Sequence, residues 1–93
     1  MKGRAEERLH TGKLVRVKVE HHDFIEKIEI SGDFSVHPPE AMRALEKSLV
    51  GVEVESAEEG IAELIEDTLK EHHAVLTGAA PADIAKAVKI AVG

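Results

Sequence analysis

The most informative stretch of the chain is residues 14–31, which read LVRVKVEHHDFIEKIEIS. In its first part three valines alternate with charged residues, a pattern typical of a strand with one buried face. His21-His22-Asp23 is a polar break, and a second apolar run extends from Phe24 to Ser31. A break this short favours pairing of the two strands as an antiparallel hairpin.

The second strand is less regular than the first. Ile28 and Ile30 share one face, whereas Ile25 is out of phase with them. A β-bulge, or a strand that starts at Lys27, would explain the shift. Gly32-Asp33 is expected to end or kink this strand, and Phe34 and Val36 could continue it beyond the kink.

Three helices are predicted after the hairpin. The first runs from about Pro39 to Leu49, because proline suits a first helical turn and apolar residues then recur at helical spacing. The second follows Ser56–Glu59, which matches a capping box, and extends to about Glu71. The third begins at Pro81. Between the first two, Val52 and Val54 alternate with glutamates, which is compatible with a short edge strand.

This order of elements predicts an α+β fold. A small antiparallel sheet, made of the N-terminal hairpin plus the possible short edge strand, would pack against about three helices. Residues 1–11 are polar and unpatterned, so we expect a flexible lead-in there. Residues 12–93 are then expected to form a single domain, since 93 residues suffice for one core.

The composition argues against several classes of protein. The formal charge is −6 and there are only two phenylalanines as aromatics, so neither phosphate binding nor base stacking is expected. We therefore expect no nucleic-acid partner. The chain has no cysteine, which fits a cytoplasmic setting and excludes thiolate chemistry. No apolar run approaches the length of a membrane helix, and no signal peptide is evident.

No catalytic or metal-binding motif emerges. Gly12-Lys13 resembles the end of a phosphate-binding loop, but Glu7 and Leu14 stand where that motif needs glycine and Ser or Thr. The histidine pairs His21-His22 and His72-His73 have no diagnostic ligand spacing, so no metal site is expected. The carboxylates lie mostly at positions typical of solvated helix faces.

The segment Ser31–Glu40 is the most unusual part of the chain. It combines a conformation-setting glycine and an acidic residue with an aromatic residue and a double proline. Such a loop is suited to present a fixed surface. We therefore predict a partner interface formed by Gly32, Asp33, Phe34, His37 and Pro38.

These residues also carry a family resemblance. The runs GKLVRV (12–17), IEISGDF (28–34) and HPPEA (37–41), with the later PADIAKA (81–87), resemble the C-terminal accessory domain of lipoate–protein ligases. The resemblance covers about residues 12–92. Its specific part is the strand followed by Gly-Asp-Phe and His-Pro. Ser35 departs from it, because many relatives carry an aromatic or aliphatic residue at that position.

The resemblance implies a non-catalytic role. In this family a large domain carries the catalytic lysine and the sites for lipoate, ATP and Mg, and in some organisms, archaea especially, the two parts are separate chains. The present chain would then bind no cofactor alone and would form a heterodimer with the large catalytic subunit. The pair would activate lipoate to lipoyl-adenylate and transfer lipoyl to acceptor domains, so these domains are indirect partners.

Three alternatives belong to other functional classes. An iron–sulfur scaffold is opposed by the absence of cysteine. A protein-binding or oligomerisation module without a role in lipoylation stays open, and a stable homo-oligomer without affinity for a ligase would distinguish it. A stand-alone enzyme is the least supported, and turnover by the purified chain would be needed to establish one.

Overall fold

The computed structural model describes residues 1–93 and contains five strands and three helices. In chain order they are β1 (Lys2–Arg8), β2 (Leu14–His21), β3 (Ile25–Gly32), β4 (Ser35–His37), α1 (Ala41–Leu49), α2 (Glu58–Glu71), β5 (Val75–Thr77) and α3 (Pro81–Val92). Strands β1, β2 and β3 form one antiparallel sheet in that order, and β4 pairs with β5 in a second. The predicted α+β class, with three helices on a small antiparallel sheet, is confirmed.

The predicted hairpin is β2–β3. Val17 pairs with Ile30 and Val19 with Ile28, so the apolar residues of both strands share one face. The register shifts by one residue between Glu20 and His21, where β3 accommodates an extra residue. This β-bulge is the first of the two explanations considered for Ile25, and it turns that side chain back into the core, where it is 1% exposed.

The N-terminal segment is not a flexible lead-in. Residues 2–8, within the stretch 1–11 expected to be mobile, form strand β1 along the full length of β2. The inward positions of β1 are Gly3, Ala5 and Glu7, which face α3 instead of a deep core. Glu7 forms an ion pair with Lys86 of α3 at 3.5 Å. The strand lacks large apolar residues because α3 packs directly on it.

The three helices cover one face of the three-stranded sheet. α3 packs on β1 and β2, α1 packs on β3, and α2 packs on both other helices. The core between these layers consists of aliphatic side chains with no aromatic ring, and its fully enclosed members include Val15, Val17, Ile25, Leu45, Leu49, Ile61, Ile65, Ile84 and Val88. α3 contributes alanines as well, which lets it approach the sheet closely.

Three boundary predictions need correction. α1 begins at Ala41, not Pro39, because the prolines occupy the turn before it. α2 begins at Glu58 after Ala57 with no side-chain cap, so Ser56 and Glu59 do not form the predicted capping box. Val52–Val54 form no edge strand. Only an isolated bridge joins Phe24 to Glu53 there, because this segment touches the bulged end of the hairpin and then turns into α2.

The outer edge of β3 is occupied by a side chain from α1. The Glu46 carboxylate accepts a hydrogen bond from the Ile30 amide at 2.8 Å. It thereby satisfies a main-chain donor that no further strand pairs. None of the three helices combines the length and apolarity needed to cross a bilayer.

Candidate partner-contact surface

The five residues predicted as a partner interface lie together at one end of the sheet. Gly32 closes β3, Asp33 and Phe34 link it to β4, and His37 and Pro38 lie at the end of β4. Asp33, His37 and Pro38 are exposed, whereas Gly32 and Phe34 are half-buried. The segment is therefore one continuous surface feature with its aromatic ring partly packed on the domain.

Two hydrogen bonds fix the start of this segment to β2. The Asp33 amide donates to the Leu14 carbonyl at 2.8 Å, and the Leu14 amide donates to Asp33 Oδ2 at 3.0 Å. The backbone pairing of β2 and β3 is thus extended by one residue through a side chain. The Asp33 carboxylate positions the loop, and one of its oxygens is already engaged within the chain.

Glycines allow three segments to meet closely beside Phe34. Gly32 has a φ of +150°, and a Cβ there would overlap the Leu14 carbonyl oxygen and approach the Phe34 ring. Gly78 has a φ of +96°, and a Cβ there would lie 3.2 Å from both the Asp33 carbonyl oxygen and the Phe34 Cα. Both conformations favour glycine, so close packing between the loop and the segment after β5 depends on these two residues.

Strands β4 and β5 form a short two-stranded ribbon. Of the residues on its outer face, only His37 belongs to the predicted interface. Val36 pairs with Leu76 on the inner face, where Val36 is buried. The outer face carries Ser35, His37, Val75 and Thr77, all of them exposed.

The missed residue of this outer face is Val75, which lies directly opposite His37 and is 61% exposed. A β-branched residue on each side of Leu76 was the signal that could have revealed the strand. We use the name contact ribbon for Asp33–Pro38 together with Val75–Thr77. The contact ribbon therefore adds an apolar residue from a distant part of the chain to the predicted surface.

The other motifs considered have structural explanations. Gly12, with a φ of +91°, and Lys13 lie in the turn between β1 and β2, which is closed by a hydrogen bond from the Leu9 amide to the Lys13 carbonyl. No three His, Asp or Glu side chains come together in an arrangement suited to a metal ion. Every buried side-chain nitrogen or oxygen has a hydrogen-bond partner.

By fold, the chain is a small α+β domain with three helices on one face of an antiparallel sheet. No protein-family model matches it, and no curated protein matches it. Among solved structures it is similar to a chain from the archaeal lipoylation system of Thermoplasma acidophilum, which comprises a bipartite lipoate protein ligase and its E2 lipoyl domain.

That similarity has a TM-score of 0.74 at 27% sequence identity, and it covers 95% of this chain and 94% of that chain. It confirms the resemblance to lipoate–protein ligases that the sequence motifs indicated. Nearly complete coverage of both chains means that the two have about the same length, so the match is not to one domain within a much longer chain.

Proposed function

We propose that the chain is the small, non-catalytic subunit of a bipartite lipoate–protein ligase. With a large catalytic chain it would support the ATP-dependent activation of lipoate to lipoyl-adenylate. Lipoate, ATP and Mg are assigned to the large chain, and the small chain supplies a binding surface. The lipoyl-acceptor domain would be the protein substrate of the two ligase chains.

The observation that carries this proposal is the match to the Thermoplasma chain over 95% of the present one. A similarity that spans a whole small domain supports a shared role more strongly than a match to one supersecondary motif would. The specific sequence motif agrees with it, since Gly32-Asp33-Phe34 and His37-Pro38 are the residues that carry the family resemblance.

The contact ribbon is the surface that we assign to the large subunit. It offers a partly exposed aromatic ring at Phe34, an exposed aliphatic side chain at Val75, and a loop held in place through Asp33. Stable protein interfaces are centred on apolar and aromatic anchors that are already ordered in the free protein. We expect the ribbon to order the adenylate-binding loop of the large chain by an induced fit.

The test is lipoate- and ATP-dependent release of pyrophosphate by the large ligase chain of the same organism, measured with and without this protein. We expect release to require both chains, and the two to co-elute as a heterodimer in size-exclusion chromatography. Heat-denatured small chain serves as the control for added protein.

Full activity of the large chain alone would contradict the proposal. The chain would then be interpreted as a protein-binding or oligomerisation module. A homo-oligomer of the small chain that does not bind the large chain would point to that alternative as well.

A further inference from the structure

The face of the three-stranded sheet that points away from the helices is uncovered. We call it the open sheet face and define it by its outward residues, Lys2, Arg4, Glu6, Arg8, Leu14, Arg16, Lys18, Glu20, Lys27, Glu29 and Ser31. Six of these are Lys or Arg and three are Glu, whereas the whole chain has 12 basic and 18 acidic residues. Half of all the basic residues of an acidic protein thus lie on one sheet face.

Two cations lie side by side at the centre of this face. Arg4 and Lys18 are directly opposite each other in the β1–β2 register, an arrangement that destabilises a sheet. Glu29 is opposite Lys18 on its other side. None of the ion pairs in the structure involves Arg4 or Lys18. The fold therefore retains an unfavourable pair of positive charges that carboxylates from another molecule could neutralise.

The same residues line two of the hollows on the surface. One hollow has a volume of about 300 Å³ and a second of about 210 Å³, and Arg4, Lys18 and Glu29 line both. The outward residues are all exposed except Leu14, which is half-buried. A protruding acidic side chain or loop of a partner could thus reach the central cations without any rearrangement of the domain.

The charge pattern favours an acidic protein over a nucleic acid. Three carboxylates, including Glu29 beside Lys18, interrupt the basic residues, and each would repel a phosphate backbone. The face carries no aromatic side chain on which a base could stack. A protein surface of mixed charge with an acidic excess can match both signs.

The scarcity of apolar side chains on this face, where half-buried Leu14 is the single one, indicates a transient partner. Permanent subunit interfaces are more hydrophobic, whereas polar, charged surfaces mainly raise the association rate and the specificity of short-lived encounters. The open sheet face has long charged side chains, while the apolar residues Phe34 and Val75 lie on the contact ribbon. A protein substrate, which must dissociate after every turnover, is a partner of this transient kind.

We infer that the open sheet face docks the lipoyl-acceptor domain through acidic side chains of that domain, while the contact ribbon holds the large subunit. This inference rests on the proposed function, because that function supplies the acceptor. The small subunit would then have two surfaces with separate roles, one for activation and one for recruitment of the protein substrate.

The experiment uses the heterodimer of the large chain with the small chain carrying Arg4→Glu and Lys18→Glu. The matched control carries Arg43→Glu and Lys47→Glu, which make the same change in charge at two exposed positions on α1 that form no ion pair. Two rates are measured for each, namely pyrophosphate release without acceptor and lipoyl transfer as a function of acceptor-domain concentration. Isothermal titration calorimetry measures binding of acceptor domain and, separately, of a 20-bp DNA duplex.

We expect the Arg4/Lys18 variant to release pyrophosphate at the wild-type rate while its KM for the acceptor domain rises about tenfold. The wild-type KM should increase with salt, and this dependence should be weaker in the variant. An unchanged KM would overturn the inference, as would an equal rise in the Arg43/Lys47 control. Loss of heterodimer formation, or DNA binding with no binding of acceptor domain, would overturn it too. If wild-type small chain fails to stimulate pyrophosphate release, the proposed function itself fails, which is a separate result.

Discussion

Asp33 and Leu14 are joined by two hydrogen bonds, one from the Asp33 amide to the Leu14 carbonyl at 2.8 Å and one from the Leu14 amide to Asp33 Oδ2 at 3.0 Å. The pair links the beginning of β2 to the loop that follows β3, 19 residues later. The loop therefore leaves the sheet in a defined direction.

Replacing Asp33 with alanine is expected to reduce the free energy of unfolding by about 1 kcal/mol, because the Leu14 amide loses its acceptor at an exposed site. Stimulation of pyrophosphate release by the large chain should fall as the loop loosens. Asp33→Asn keeps a side-chain carbonyl that can accept the bond, so it should retain most of both properties. Urea unfolding and the ligase assay measure the two effects. Equal losses for Asn and Ala would show that charge, not loop position, is what matters.

Gly32→Ala is expected to destabilise the domain by about 2–3 kcal/mol, since the new Cβ would meet the Leu14 carbonyl in a backbone conformation that disfavours side chains. Gly60→Ala is the matched control. Gly60 lies in α2 with open space around it, so alanine should stabilise the domain by about 0.5–1 kcal/mol. Thermal unfolding of both variants followed by circular dichroism is the measurement, and shifts of the same sign would contradict the prediction.

Phe34→Ala is expected to weaken stimulation of the large chain while the hairpin stays folded. The ring is half-buried, so its loss should cost about 1–2 kcal/mol of stability, which the domain can tolerate. Phe24→Ala removes the other aromatic ring, at the opposite end of β3, and should leave stimulation unchanged. Titration of each variant against the large chain gives its apparent affinity. Wild-type stimulation by Phe34→Ala would place the interface elsewhere.

Val75→Ser is expected to leave the free energy of unfolding within about 0.5 kcal/mol of wild type, because the side chain is 61% exposed. Its affinity for the large chain should nevertheless fall severalfold if the contact ribbon is buried in the heterodimer. Ile90→Ser is the control, as Ile90 is similarly exposed, at 47%, but lies on α3. Surface plasmon resonance with immobilised large chain compares the two, and a greater loss for Ile90→Ser would favour the α3 surface.

Gly3→Ala is expected to destabilise the domain by about 1–3 kcal/mol, because a Cβ at this position of β1 would overlap the carbonyl oxygen of Ala91 in α3. Arg4→Ala, its outward neighbour, should have an effect below about 0.5 kcal/mol. Urea unfolding of the two variants tests whether β1 is docked in solution. Equal stability of Gly3→Ala and wild type would mean that it is not.

The sequence predicted the elements whose apolar residues repeat at the period of their secondary structure. β2, β3 and the three helices each place large aliphatic residues on one face, and hydrophobic burial then dictates the packing. β1 was missed because its inward residues are Gly3, Ala5 and Glu7, so the alternation expected of a strand is hidden. The strand is held by its pairing with β2 and by close packing against α3, the latter a contact about 80 residues away in the sequence.

In the candidate site, too, the features set by local sequence were predictable and those set by distant contacts were not. The loop from Gly32 to Pro38 was recognisable from its composition, because glycine and proline restrict or permit particular backbone conformations locally. The role of Asp33 and the presence of Val75 were not, because each depends on pairing with a distant segment. A strand of three residues such as β5 carries too few side chains for any periodicity to be read.

The hydrogen bond from Ile30 to Glu46 has a consequence for colloidal behaviour. A bare strand edge can recruit the edge of a neighbouring molecule and seed aggregates. On β3 the Glu46 carboxylate accepts a hydrogen bond from the Ile30 amide, which a neighbouring strand would otherwise pair with. It also places a negative charge at this strand edge. A concentrated solution of the domain should therefore resist edge-to-edge polymerisation along β3, because Glu46 engages the Ile30 amide and Gly51 and Val52 pair with Ile25 at the start of the strand.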